Sequence, residues 1–355
     1  MIKYIGSKRR LVPVLGEIAG IVRPSTALDL FTGTTRVAQE LRRRGAAVTA
    51  VDTARYAEVF ARTYVELALD DGARSELMDA RRDLSARPGR AGYVTEVFCR
   101  QARYFQEANG ARIDAMRDAI ARDHGGTWRE PVLLTSLIEA ADRVDSTTGV
   151  QMAYLKAWPP RAAKPIELRL PDVPDGPPGV ALRADAVDVV ARLGPFDLAY
   201  LDPPYNQHRY FTNYHVWETI VAWDQPPSYG VARKRLDARD PATRSVFNER
   251  RRMPEALAAC IKSVDAGVVV VSYNDESWVT LAELTEMCAS RGKVEVLAFD
   301  SKRYVGAQIG IHDPAGRKVG AVGRLRNLEY VLVAGDLSRG QRTALRALAP
   351  ATTSS

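Results

Sequence analysis

The stretch from Ala27 to Asp52 constrains the fold more than any other. Ala27-Leu28-Asp29-Leu30-Phe31 is a short apolar run that ends in Thr32-Gly33-Thr34-Thr35. Arg36 to Arg44 then sets Val37, Ala38 and Leu41 at helical spacing, and Gly45 stops that helix. A second apolar run, Ala46 to Val51, ends in Asp52. Strand, glycine turn, helix, strand and acid form one βαβ unit, which implies a parallel sheet. The pattern returns in Val180 to Asp185, Phe196 to Leu201, Gly267 to Asn274, Val294 to Phe299 and Leu328 to Val333. The expectation is an α/β chain.

Residues 55–145 read as helical, polar and Arg-rich, with breaks at Arg87-Pro88-Gly89 and His124-Gly125-Gly126. A Pro/Gly-rich stretch over 170–179 leads back to the sheet as a surface loop. No run approaches the roughly 20 apolar residues of a membrane span. The first residues, MIKYIGSKRRLVPVLGEI, lack the apolar segment of a secretion signal. Three scattered cysteines form neither a disulfide framework nor a zinc-ligand array, and the four histidines lack zinc-site spacing, so no metal is expected. A cytoplasmic chain with reduced thiols is the expectation. The formal charge of +7 and a pI of about 9.3 favour a polyanionic partner.

The sharpest motif is Asp202-Pro203-Pro204-Tyr205, at the end of an apolar strand. Two prolines fix φ and stiffen the exit from the sheet. Such a turn can aim the Asp202 carboxylate and the Pro203 carbonyl at one point, two acceptors for an amino group with two N–H donors. Tyr205 can stack on a flat heterocycle. Hydrogen bonds to both N–H groups favour the pyramidal nitrogen that attacks a methyl group, so catalysis is orientation and electrostatics, with no covalent intermediate. The plain alternative is a rigid strand-ending turn.

Asp29 to Thr35 lies where a ligand binds in an open α/β sheet, beyond the first strand. Gly33 permits close backbone approach. The segment is no GxGxxG fingerprint and has no P-loop lysine, so it suits a nucleoside without phosphates. Asp52 is either an acceptor for ribose hydroxyls or a helix N-cap. Asp185 poses the same choice near the adenine end of a cofactor. Lys3-Tyr4-Ile5-Gly6-Ser7-Lys8 is either a small lid, with Tyr4 against the ligand and Lys8 on a carboxylate, or a solvated basic end.

In order and content these motifs resemble the Dam-like, alpha-group family of adenine-N6 DNA methyltransferases, over about residues 1–335. Lys3 to Lys8 is similar to the family's N-terminal cofactor motif, Asp29 to Gly33 to its D-x-F-x-G and Asp202 to Tyr205 to its catalytic D-P-P-Y. Ser272-Tyr273-Asn274 and Lys302-Arg303-Tyr304 are similar to later motifs. Thr34-Thr35 departs from the family, which usually has Gly or Ser there. The resemblance implies a Rossmann-like S-adenosylmethionine-dependent methyltransferase sheet with an inserted, mostly helical DNA-recognition domain. It implies that Tyr4, Lys8, Asp52 and Asp202 contact S-adenosylmethionine, with Lys8 on the methionine carboxylate and Asp52 on the ribose. Asp29, Phe31 and Gly33 would line the pocket, Asp185 would sit near the cofactor adenine, and Asp202, Pro203, Pro204 and Tyr205 would hold a flipped adenine.

The implied organisation is a catalytic part over 1–55, a target-recognition insert over 56–178, and a second catalytic part over 179–336 with a basic DNA-contacting loop over 206–255. A polar tail follows over 337–355. Between Val231 and Arg252 eight basic residues outnumber three acidic ones, and Arg233, Lys234 and Arg235 are the expected phosphate contacts. In the insert, Gln151 and Lys156 are candidate base or phosphate readers. The expected partner is double-stranded DNA, bound by a monomer, with a cognate restriction endonuclease encoded nearby or an orphan role. The alternatives are cytosine-N4, RNA or protein as methyl acceptor, or a silent DNA-binding module of the same fold.

Overall fold

The computed structural model describes residues 2–204, 209–275, 277–302 and 326–348. The chain begins with α1 (Val12–Val22), with Pro13 in its first turn, where a missing N–H is no loss. β1 (Thr26–Asp29), α2 (Arg36–Arg43) and β2 (Ala47–Asp52) follow as the expected unit, and Gly45 ends it at φ 96°. A run of helices intervenes: α3 (Arg55–Ala61), α4 (Asp71–Ala86), α5 (Glu107–His124) and α6 (Arg129–Val144). The sheet resumes with β3 (Val180–Arg183), α7 (Ala186–Val189) and β4 (Phe196–Leu201). Then come α8 (Tyr210–Asn213), α9 (His215–Ala222), and the short strands β5 (Ser228–Tyr229) and β6 (Lys234–Arg235). The last elements are α10 (Met253–Ser263), β7 (Ala266–Asn274), α11 (Leu281–Ala289), β8 (Glu295–Lys302), β9 (Arg326–Gly335) and α12 (Arg339–Ala347).

Among the described residues the main sheet has seven strands in the order β3-β2-β1-β4-β7-β9-β8. The first five are parallel neighbours, and β9 runs antiparallel between β7 and β8. This is the mixed α/β, Rossmann-like architecture expected. Central strands are buried on both faces, with side chains alternating between two cores. Leu198, Tyr200, Val268 and Val270 pack with Leu15, Leu41 and Leu345 on the α1, α2 and α12 side. Ala199, Leu201, Val269 and Val271 pack with Leu257, Ile261 and Leu284 of α10 and α11 on the other.

Strand order reverses between β1 and β4, and a crevice opens at the carboxyl ends of strands at such a point. Asp29 closes β1 and pairs in register with Tyr200, so Asp202 lies nearby, just past the end of β4. The topology alone brings these two distant acids together.

The helices between β2 and β3 bury a separate core that includes Phe60, Phe98, Phe105, Ile113 and Leu137. Tyr214, which precedes α9, and Trp217 and Ile220 on α9 join it, three residues apart on one face. This corrects the expectation of one basic loop over 206–255: its first described helices are part of the helical lobe. Arg42, 1% exposed, fastens that lobe to the sheet. Its guanidinium donates to the carbonyls of Tyr64 (2.9 Å), Leu67 (2.6 Å) and Gly176 (3.3 Å), where the chain leaves the sheet and returns to it.

The polar tail also needs correction. Ser338 and Gln341 form a capping box for α12, Leu345 is fully buried, and Arg346 binds Glu295 at 2.7 and 2.9 Å. One apolar contact and one bidentate ion pair order a segment whose composition reads as solvated. Residues 349–355 lie outside the described residues.

Among the described residues no helix is long and apolar enough to cross a membrane, and no cluster of His, Cys, Asp and Glu could hold a metal ion. Cys99, Cys260 and Cys288 are buried free thiols.

Candidate active site

A cavity of about 440 Å³ opens at the β1/β4 reversal. Asp29, Phe31, Gly33, Asp52, Asp185, Asp202 and Pro204 line it, and so do Tyr4 and Lys8 from the N-terminal segment. Pro203 is buried at the turn, and Tyr205 lies outside the described residues. The expected cofactor residues therefore converge, although they come from five separate stretches of chain.

Asp52 Oδ2 accepts the Gly33 N–H and Oδ1 the Ala54 N–H, both at 2.9 Å. The carboxylate thus ties the β1 turn to the start of α3. Burial raises its pKa, against those backbone donors. Gly33 has φ 50°, and a Cβ there would meet the Tyr4 ring at 3.2 Å, so both conformation and space require glycine. Tyr4 stacks on Tyr214 at 4.5 Å and on Tyr210 at 5.3 Å, and Ile5 N–H donates to the Tyr214 hydroxyl at 2.6 Å. The N-terminal segment is therefore packed against the cavity wall and is not a solvated end. Lys3 fixes its outer end on Asp142 and Asp145, at 3.2 and 3.0 Å.

Asp202 is 16% exposed at the side chain. Its Oδ1 receives Lys8 Nζ at 3.0 Å and the Ser272 hydroxyl at 3.0 Å. Tyr200 stands 2.7 Å behind Ser272, so a hydroxyl relay backs the carboxylate. Burial raises the Asp202 pKa and Lys8 opposes it. Among the described residues no partner engages Oδ2, which leaves an acceptor on the cavity side. Lys8 is also 3.6 Å from Glu329. The lysine is thus already shared between two carboxylates, unlike the expectation that it meets a ligand's carboxylate.

Asp29 is 1% exposed. Its Oδ2 accepts Thr32 Oγ1 at 2.9 Å and Ala38 N–H at 3.2 Å, while Oδ1 is buried with no partner. Burial pushes this carboxyl up to about 7, with Thr32 opposing and Asp202 adding to the rise. An unsatisfied buried acceptor in a cavity wall is costly unless something donates to it. Asp185 lines the wall and also caps α7, accepting Val187 N–H at 2.9 Å. The N-cap reading of that residue is the one observed.

Phe31 meets Phe247 edge-on at 4.9 Å. Thr243, Arg244 and Ser245 line the same cavity, so the basic segment folds over it. Sequence reasoning missed Phe247, and also Glu218, a buried wall residue raised to about 7 by burial, with Arg55 opposing. The signal for Phe247 was an aromatic inside an otherwise polar run. Glu218 gave none, since an acid on an apolar helix face reads as exposed.

The candidate DNA residues separate. Gln151 is 2% exposed, and its side-chain oxygen accepts the Val216 N–H at 2.8 Å. It is a structural residue of the lobe and reads no base. Arg235 is 4% exposed and clamped by Asp224 and Asp237 at 2.6 and 2.7 Å, so it has no free face for a phosphate. Arg233 and Lys234 are half-buried, and Lys156 is exposed. Lys156 borders Trp158, over which Arg103 stacks at 4.8 Å.

Comparison with known proteins agrees with this architecture. Residues 4–259 match the family described as D12 class N6 adenine-specific DNA methyltransferase. The type II methyltransferase M.NlaIII of Neisseria lactamica is 28% identical over 315 residues, 85% of this chain and 92% of that protein. The modification methylase StsI of Streptococcus sanguinis is 27% identical over 310 residues, 80% of this chain and 46% of that longer protein. The type II methyltransferase M.CviAII of Paramecium bursaria Chlorella virus 1 is 29% identical over 222 residues, 60% of this chain and 64% of that protein. The family match decides among the possible methyl acceptors: the chain belongs to the D12 class N6 adenine-specific DNA methyltransferases.

Proposed function

We propose that the cavity binds S-adenosylmethionine and that Asp202, Pro203, Pro204 and Tyr205 present a flipped adenine of duplex DNA to it. The observation behind this reading is the Asp202 carboxylate, anchored through Oδ1 by Lys8 and Ser272 and open at Oδ2, in the same cavity as Asp52. The volume suits a nucleoside-sized ligand. Three wall carboxylates (Asp29, Asp52 and Asp185) disfavour a polyphosphate and suit hydroxyl and ammonium donors. Asp52 takes the ribose hydroxyls, Phe31 and Phe247 pack the adenine with Asp185 near its edge, and Tyr4 closes the lid over Gly33. The unpartnered Asp29 Oδ1 accepts the ammonium of the methionine part.

When bound, S-adenosylmethionine supplies an electrophilic methyl group on its sulfonium sulfur. Asp202 Oδ2 and the Pro203 carbonyl accept the two N–H bonds of the target amino group and draw its lone pair out of the ring. Lys8 and Ser272 hold the carboxylate so that little reorganisation is left for the reacting geometry. Tyr205 stacks on the extruded base.

The helical lobe serves as the target-recognition insert, with Lys156 on its DNA side, and Arg233 and Lys234 meet phosphates from the segment that folds over the cavity. The enzyme acts as a monomer on duplex DNA in the cytoplasm, as the methylase of a restriction-modification pair whose endonuclease is encoded nearby. Calorimetry on Asp52→Ala tests the cofactor assignment. Affinity for S-adenosylmethionine should fall about tenfold or more, for two lost charge-assisted hydrogen bonds, while DNA affinity holds. Equal losses for both ligands would remove Asp52 from the ribose.

A further inference from the structure

We infer that Arg36 is the counter-ion for the methionine carboxylate of the cofactor, an assignment that rests on reading the cavity as a S-adenosylmethionine site. A zwitterionic amino-acid tail needs a cation as well as an anion. Lys8, the cation expected to meet it, is held between Asp202 and Glu329 at 3.0 and 3.6 Å. A third carboxylate on that lysine would add repulsion from the other two and loosen the grip on Asp202.

The other wall cations are also engaged. Arg55 pairs with Glu218 at 3.4 Å and Arg183 with Glu58 at 3.4 Å. Arg209 donates to the Ala238 carbonyl at 2.8 Å and to Thr243 Oγ1 at 3.3 Å, and Arg244 reaches the Arg239 carbonyl at 3.5 Å. Arg36 lines the cavity, and its Nε is buried without a hydrogen-bond partner, as is that of Arg209; but whereas Arg209 still donates through Nη2, the Arg36 guanidinium makes no hydrogen bond and no ion pair among the described residues. Burial, and then the neighbouring Arg9, lower its pKa, with Glu139 and Tyr64 opposing the shift.

Its place in the fold fits the role. Arg36 is the first residue of α2, directly after the Thr32–Thr35 turn, and Thr35 provides no side-chain cap. The first turn of this eight-residue helix, where Asp29 Oδ2 already accepts the Ala38 N–H, is a place that favours an anion. With the ribose on Asp52 and the sulfonium beside Asp202, the amino-acid tail crosses this turn. Its ammonium meets Asp29 and its carboxylate meets Arg36. A guanidinium grips a carboxylate through two parallel N–H bonds, which a lysine cannot do.

The test titrates S-adenosylhomocysteine and 5′-methylthioadenosine into wild type, Arg36→Ala and Arg36→Lys by calorimetry. The second ligand keeps the nucleoside and the sulfur but has no amino-acid tail. Arg36→Ala should weaken S-adenosylhomocysteine about tenfold or more and leave 5′-methylthioadenosine within about twofold. Arg36→Lys should recover part of the loss, again for the first ligand alone; this comparison stands by itself if the alanine variant does not fold. Equal losses for both ligands, or no loss for S-adenosylhomocysteine, would overturn the assignment of Arg36. Wild type that binds neither ligand would overturn the cofactor reading of the cavity instead.

Discussion

The sheet edge and the helical lobe both bury charge, yet they treat it in opposite ways. In the lobe, Asp114 is 1% exposed and accepts hydrogen bonds from Gly92, Val94 and Thr95 backbone N–H groups and from Thr95 Oγ1, at 2.7 to 2.9 Å. Asp145 is held by Lys3, Arg161 and Thr147. At the sheet edge, Asp29 Oδ1, Asp202 Oδ2 and the Arg36 Nε have no such partner among the described residues. Satisfied buried charge holds elements together, whereas unsatisfied buried charge facing a cavity marks where a ligand completes the structure. The lobe's charges should therefore matter for stability and the edge's charges for binding and chemistry.

The largest expected effect is in the lobe. Asp114→Ala strands four donors and should cost about 3–5 kcal/mol of unfolding free energy, read from urea denaturation. A loss below about 1 kcal/mol would break the comparison. At the edge, Asp29→Asn should stabilise the ligand-free protein at pH 8. The folded carboxyl titrates at about 7, against an unfolded value of 3.8. Its contribution to stability is therefore complete below the unfolded value and is lost as pH rises through about 7. The shift corresponds to roughly 2–4 kcal/mol above that pH. S-adenosylmethionine affinity of wild type should also fall as pH drops through that range, and Asp29→Asn should flatten the dependence. A wild-type profile without slope between pH 6 and 8 would detach Asp29 from the ammonium. The smallest effect concerns DNA. Arg233→Ala should weaken binding to all sequences alike and reduce the slope of log affinity against log salt by about 1, whereas Arg235→Ala should leave that slope in place and lower the melting temperature.

Much of this was legible beforehand. Strand and helix periods give the β1–α2–β2 unit and the later strands, and acids at strand ends mark Asp29, Asp52 and Asp202, because a parallel sheet gathers the carboxyl ends of its strands at one edge. What escaped depends on partners distant in sequence. Arg233 and Arg235 look alike in a basic run, and the fold separates them by bringing Asp224 and Asp237 to one. Gln151 was misread because Val216 reaches it only once α9 joins the lobe. The α12 helix depends on Glu295 of β8, and Glu329 reaches Lys8 only through the antiparallel pairing of β9 with β7.

If the anchored Asp202 carboxylate presents adenine N6 to the methyl group, its removal should stop methyl transfer. The most direct test is transfer of a labelled methyl group from S-adenosylmethionine to unmethylated duplex DNA, comparing wild type with Asp202→Ala, followed by nucleoside analysis. The expected result is N6-methyladenine from wild type and a loss of at least about a hundredfold in a variant that is still folded at the assay temperature. Comparable N6-methyladenine from Asp202→Ala would contradict that role.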